Sequence, residues 1–198
     1  MLAIIGGSGL YHLDGLVVTE EHTVSTPFGE PSSPITQGQY QDHQILFLAR
    51  HGEGHQFLPH EVNYRANIFA LKSLGAQRVL GFSAAGSLRQ EIRPGELALT
   101  AQYFDHTRGK RSYSFFGDGV SAHVSTAYPT CPALSADIAD AAAGIGQHLH
   151  HEKTYACVEG PRLGSRAESF FLRDSAKCDL VGMTNVPECF LAREAQMA

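Results

Sequence analysis

Residues 157–188, CVEGPRLGSRAESFFLRDSAKCDLVGMTNVPE, constrain the fold more than any other stretch of the chain. The apolar run ending at Val158 is broken by Glu159-Gly160-Pro161-Arg162, because glycine and proline interrupt regular backbone hydrogen bonding. From Arg166 to Ser175 a helical pattern returns, with Ala167, Phe170 and Phe171 at helix spacing. Leu180-Val181-Gly182-Met183 then reads as a short buried strand delivering Met183-Thr184-Asn185 at its carboxyl end. Pro187 suits the first turn of a following helix. Strands alternating with helices point to the α/β class, and open α/β sheets bind ligands beyond the carboxyl ends of their strands.

The preceding chain repeats this logic. Leu2 to Ile5 is a short apolar strand ending in Gly6-Gly7-Ser8-Gly9. Consecutive glycines let backbone N–H groups converge on an anion, and Ser8 adds a hydroxyl donor. The loop is neither a P-loop nor a dinucleotide fingerprint, and Leu10 stands where a nucleophile elbow needs glycine. A plain tight turn accounts for it equally well. Between Leu16 and Leu48 strands are expected, interrupted at Thr26-Pro27-Phe28-Gly29 and at Asp42-His43. The last of them, Gln44 to Ala49, ends at Arg50-His51. The planar fork of Arg50 matches anionic oxygens in pairs, although an ordinary surface arginine would look the same. His51 and His55 have the spacing of a helical metal pair, but Gly52 and Gly54 argue against a helix and no metal is expected there.

Glu61 to Leu74 is predicted as a helix, with Val62, Ala66, Phe69 and Ala70 on one face and Gly75 stopping it. Arg78 to Ser83 reads as the next buried strand, opening into the small residues Ala84-Ala85-Gly86-Ser87. A strand over Leu97 to Thr100 follows, then a long polar and aromatic loop from Asp105 to Ser125. Pro132 to Gly146 is predicted helical, with Leu134, Ile138 and Ile145 on one face, and Lys153 to Val158 returns as a strand.

A chain of 198 residues suits one domain with a self-sufficient core. Its net charge of −5 argues against long nucleic acid, which leaves a basic footprint on its binders. No apolar run is long enough for a membrane span, and with no signal-like N-terminus the expected compartment is the cytoplasm. The four cysteines are widely spaced, which favours reduced structural thiols. His148, His150 and His151 are expected as a solvated surface near a helix end.

Several motifs in the right order carry a family resemblance: Gly6-Gly7-Ser8-Gly9, Glu159-Gly160-Pro161-Arg162, Ser165-Arg166-Ala167-Glu168-Ser169, residues 181–188 (VGMTNVPE) and Leu191-Ala192-Arg193-Glu194. Together the chain resembles the trimeric purine nucleoside phosphorylases, especially their methylthioadenosine phosphorylase branch. The resemblance implies a three-layer α/β/α fold around a mixed, partly barrel-like sheet. It also implies phosphorolysis of a purine (5′-methylthio)nucleoside, with inorganic phosphate as co-substrate and no metal or organic cofactor. By this resemblance Ser8, Arg50, His51, Ser83, Ala84 and Thr184 bind phosphate. His55, Leu163, Gly164 and Met183 face the nucleoside, and His123 reaches the site of a neighbouring subunit in a homotrimer; a solvated loop histidine is the alternative for His123.

Two departures stand out. Leu163, followed by Gly164, stands where the family commonly places an aromatic residue against the purine. The family's leaving-group aspartate or asparagine lies on a later strand with no counterpart here, so residues 1–198 are expected as a single phosphorylase domain, C-terminally incomplete relative to the family, with no certain catalytic residue. The alternatives are a non-catalytic phosphate- or nucleoside-binding relative and a hydrolase built on Ser8 or on His51 and His55.

Overall fold

The computed structural model describes residues 1–198. The strands are β1 (Leu2–Gly6), β2 (Val17–His22), β3 (Ile35–Tyr40), β4 (His43–Ala49), β5 (Arg78–Gly81), β6 (Gly86–Ser87), β7 (Leu97–His106), β8 (Leu149–Val158) and β9 (Leu180–Gly182). The helices are α1 (Tyr64–Ser73), α2 (Pro132–Gly144), α3 (Arg166–Phe170), which runs on into a π-helical turn over Phe171–Ser175, and α4 (Asn185–Glu194).

The strands form two hydrogen-bonded ladders, β2-β3-β4-β1-β5 and β6-β9-β8-β7. β4, β1 and β5 run parallel in the first, and β7, β8 and β9 in the second. The expected α/β class holds.

Period-two alternation explains which face packs where. In the first ladder Ala3, Ile5, Leu46 and Leu48 join Ile68, Leu71 and Leu191 in the largest core. Ile4, Ile45, Phe47 and Ala49 turn the other way, under Leu10, Leu13 and Leu16 of a loop rather than a helix. In the second ladder Tyr155, Cys157 and Leu180 face Val186, Cys189 and Phe190. Ala156 on the opposite face meets Leu172 and Cys178. Helix α4 therefore feeds both cores, through Leu191 on one side and Val186 on the other.

Several sequence expectations shift in register. α1 starts at Tyr64, because Asn63 caps it, and its buried side is Tyr64, Asn67, Ile68 and Leu71 with Ala66 and Ala70, while Phe69 is only half-buried. Phe170 and Phe171 are half exposed, because the π turn rotates Leu172 inward instead. β5 is an open edge, half-buried at Val79 and Leu80 and exposed at Gly81 and Phe82, rather than a buried strand. β7 and β8 are longer than expected, and β8 takes in His148's neighbours His150 and His151, which lie on a strand and not at a helix end. Ile145, expected on the packed face of α2, is 81% exposed.

The Asn63 side chain accepts from Ala66 N–H and donates to the carbonyls of Phe28 and Glu30. It thus caps α1 and pins the Thr26–Gly29 turn at once. Asn63→Ala is expected to cost about 1–2 kcal/mol in urea unfolding.

Candidate functional site

The carboxyl ends of β1, β4 and β5 lie side by side and release, in turn, the glycine loop, Arg50-His51 and Phe82-Ser83. The backbone holds these exits together: Arg50 N–H donates to Gly6 O at 2.9 Å and Phe82 N–H to Ile5 O at 2.9 Å. The approach is close enough to require glycine at position 7, where a Cβ would stand 2.5 Å from Phe82 O and 2.7 Å from Arg50 Nη1. β9 of the second ladder then brings Thr184 to the same place, and the Ser83 and Thr184 hydroxyls are 2.8 Å apart. Ser8, Arg50, His51, Ser83 and Thr184 thus sit on strand exits that converge.

Arg50 departs from the expected geometry. Its side chain is fully buried, and its fork is taken by Glu188: Nε donates to Oε2 at 2.7 Å and Nη2 to Oε1 at 2.6 Å. Nη1 donates to Phe82 O at 2.7 Å. A guanidinium has five N–H groups, so two remain for an anion and the paired fork does not. Burial opposes the charge of Arg50, but the Glu188 carboxylate outweighs it and holds the pKa above the ordinary arginine value. Glu188 reaches this position from the first turn of α4, against Gly81, where a Cβ would lie 2.7 Å from its Oε1.

His51 is buried and donates from Nδ1 to Phe57 O at 2.8 Å, which leaves Nε2 as an acceptor in the neutral ring. Burial lowers its pKa, and the Arg50 charge adds to that, so the neutral form prevails near pH 7. His55 stacks on it with ring centroids 4.5 Å apart, and the Tyr11 hydroxyl is 2.9 Å from His55 Nδ1. With Nδ1 of His51 spent on a carbonyl and the rings stacked, the pair does not converge on a metal. Ser8 is exposed at the mouth.

Met183 is half-buried beside Gly160, whose Cβ would meet Met183 Sδ at 2.5 Å. Gly160 also has φ +69°, so both the space and the backbone demand glycine. Ala84 is exposed on the exit of β5, with only its backbone N–H to offer. Leu163 is 83% exposed and Gly164 is exposed, both held in a loop closed by the Arg162–Glu168 ion pair at 2.7 Å. His123 lies on an exposed stretch. An open groove of about 510 Å³ adjoins the site, sharing Ser83, Tyr155, Asn185 and Glu188 with it and lined farther out by Leu97, Leu134 and Ile138.

Sequence reasoning missed three residues. Glu188 carried a signal, since it belongs to a motif, but not the signal that it would claim Arg50. Tyr155 and Arg111 looked like ordinary strand and loop residues. Arg111 is fully buried, donating from Nη1 to Val186 O at 2.5 Å, from Nη2 to Glu159 O at 3.0 Å and from Nε to the Glu159 carboxylate at 3.4 Å. It ties the loop after β7 to both segments that frame Met183.

A family model described as the phosphorylase superfamily matches residues 1–198. An S-methyl-5′-thioadenosine phosphorylase of Geobacter sulfurreducens is 47% identical over 197 residues, covering 100% of this chain and 68% of its own. One from Hyperthermus butylicus is 47% identical over 196 residues, covering 99% of this chain and 71% of its own. Among solved structures, a methylthioadenosine phosphorylase from an antarctic soil metagenomic library matches with TM-score 0.92 and 45% identity, covering 100% of this chain and 69% of that one. The methylthioadenosine phosphorylase of Schistosoma mansoni in complex with tubercidin matches with TM-score 0.95 and 34% identity, covering 100% and 77%. Matched along its whole length by the family model and by these relatives, the chain belongs to the phosphorylase superfamily.

Proposed function

We infer that the protein catalyses phosphorolysis of a purine 5′-methylthionucleoside, giving free purine and methylthioribose 1-phosphate in purine salvage. The observation that carries this is the convergence of Ser83 and Thr184, 2.8 Å apart, from two separate ladders beside the glycine loop and Arg50. Relatives named S-methyl-5′-thioadenosine phosphorylase share that whole stretch of chain.

In this reading phosphate is both nucleophile and counter-charge to the oxocarbenium character developing on the sugar. Ser8, the Ala84 N–H and the two hydroxyls donate to it, and the two spare N–H groups of Arg50 add positive charge from behind. Neutral His51 accepts the phosphate's own O–H at Nε2, which orients the anion without adding a proton. Met183 lies against the ribose and keeps out water that would compete with phosphate, with His55 on the sugar side. Leu163 and Gly164 border a base pocket without an aromatic stack. The chain acts as one phosphorylase domain in the cytoplasm, and three copies assemble so that His123 of one approaches the sugar substituent of the next. The exposure of residues 121–128 supports that placement.

The reaction requires no metal or organic cofactor. A serine hydrolase is not favoured, because the Ser8 hydroxyl has no hydrogen bond to a histidine, while His51 Nδ1 is engaged by Phe57 and His55 Nδ1 by Tyr11. The test is purine release from methylthioadenosine, methylthioinosine, adenosine and inosine, with and without inorganic phosphate. Release should require phosphate and be fastest from methylthioadenosine. Equal release without phosphate would refute the assignment.

A further inference from the structure

Tyr155 has a hydroxyl that folding alone does not explain. The residue is 1% exposed on β8, its ring edge-on to Tyr103 of β7 at 5.9 Å and paired in register with Leu180 of β9. The hydroxyl runs against Gly182, where a Cβ would lie only 1.9 Å from it, so β9 carries glycine at the position the oxygen occupies. Beyond Gly182 the oxygen faces the Ser83 side chain and the Thr184 N–H, yet it completes a hydrogen bond with neither. A buried hydroxyl left in that state costs stability. A phenylalanine would keep the ring packing without that cost.

The neighbouring pair supplies a reason. At 2.8 Å one of the Ser83 and Thr184 hydroxyls must donate to the other, so only one of their two protons is free to meet an anion. Turning both protons outward breaks the bond between them and leaves the half-buried Ser83 oxygen and the buried Thr184 oxygen without a donor. The O–H of Tyr155, without a partner of its own and facing Ser83, can meet that demand. Burial raises its pKa well above the ordinary tyrosine value, so it stays protonated and remains a donor.

We propose that Tyr155 is a positioning residue for the oxyanion site: on anion binding its O–H donates to Ser83 Oγ, which releases both the Ser83 and the Thr184 protons to the anion. This rests on the assignment of Ser83 and Thr184 to the phosphate site. No bond forms or breaks apart from hydrogen bonds, and hydrogen bonds in such a chain strengthen one another.

The experiment is calorimetric titration with inorganic phosphate of the unmodified protein, Tyr155→Phe, Ser83→Ala and the double variant, with thermal unfolding of each. Tyr155→Phe should raise the phosphate Kd about tenfold, equivalent to about 1.4 kcal/mol. It should leave the unfolding midpoint unchanged or higher, because the removed hydroxyl was unpaired. In the Ser83→Ala background the same change should have no further effect on Kd. Phosphate binding unaltered by Tyr155→Phe, or weakened as much without Ser83 as with it, would overturn the proposal. A lowered midpoint would assign the hydroxyl to the fold and overturn it too. If the unmodified protein binds no phosphate, the assignment of the site itself fails, which is a separate result from equal binding by the two proteins.

Discussion

Glu188→Ala is expected to cost about 3–5 kcal/mol of folding stability, the largest effect of any single change considered. The reason is the charge left behind. Arg50 has no exposed side-chain surface, and Glu188 supplies the carboxylate that accepts from Nε and Nη2. Removing that carboxylate strands a guanidinium in the interior, where it can neither deprotonate nor reach water. The loss should appear as a lower urea midpoint at pH 7. A paired replacement, Arg50→Met with Glu188→Leu, removes both charges and should recover a substantial part of it, since apolar residues of similar volume replace buried ion pairs at little cost. Phosphate binding should not recover in the double variant, because the positive charge behind the anion is gone. Stability and binding therefore separate, and a Glu188→Ala protein as stable as the parent would contradict the buried pairing.

Arg111→Met is expected to cost about 2–4 kcal/mol, through lost hydrogen bonds rather than lost packing. Methionine retains most of the stem, but the carbonyls of Val186 and Glu159 lose their donor, and the Glu159 carboxylate, 11% exposed, loses a counter-charge. The same two segments frame Met183 and Thr184, so the nucleoside KM should rise along with the drop in unfolding midpoint. Arg111→Lys should rescue only in part, because one ammonium cannot reach acceptors spread around the edge of the former guanidinium. Full rescue by lysine would show that only the charge matters.

The chain announced its fold through local signals. Leu2 to Ile5 and Gln44 to Ala49 are short, nearly continuous apolar runs, and the structure buries both faces of those strands. Gly75 marks the end of α1 as expected, whereas the Asn63 cap sets its start three residues after the expected Glu61. Long-range choices were harder to read. Phe170 and Phe171 looked like core because they are large and at helix spacing, but the π turn that swings Leu172 inward leaves no mark in apolar periodicity. β5 looked buried by composition; its exposure depends on which strand lies next to it, and that is decided by topology.

The candidate site was legible as a set of strand exits and much less so as a set of contacts. Ser83 and Thr184 are separated by 101 positions, and only the meeting of two ladders brings their hydroxyls together. Arg50 looked like a free anion clamp, because nothing near it in the chain hints that Glu188, 138 positions later, occupies its fork. Arg111 sits in a stretch that reads as polar loop, and its burial follows from three acceptors that are remote in sequence.

In phosphorolysis the phosphate ends on the sugar. Phosphorus-31 magnetic resonance of the protein with methylthioadenosine and inorganic phosphate tests this most directly. The inorganic phosphate signal should fall while a sugar phosphate ester grows, mole for mole with released adenine. Adenine released with the phosphate signal undiminished would contradict it, because the sugar would then have been captured by water.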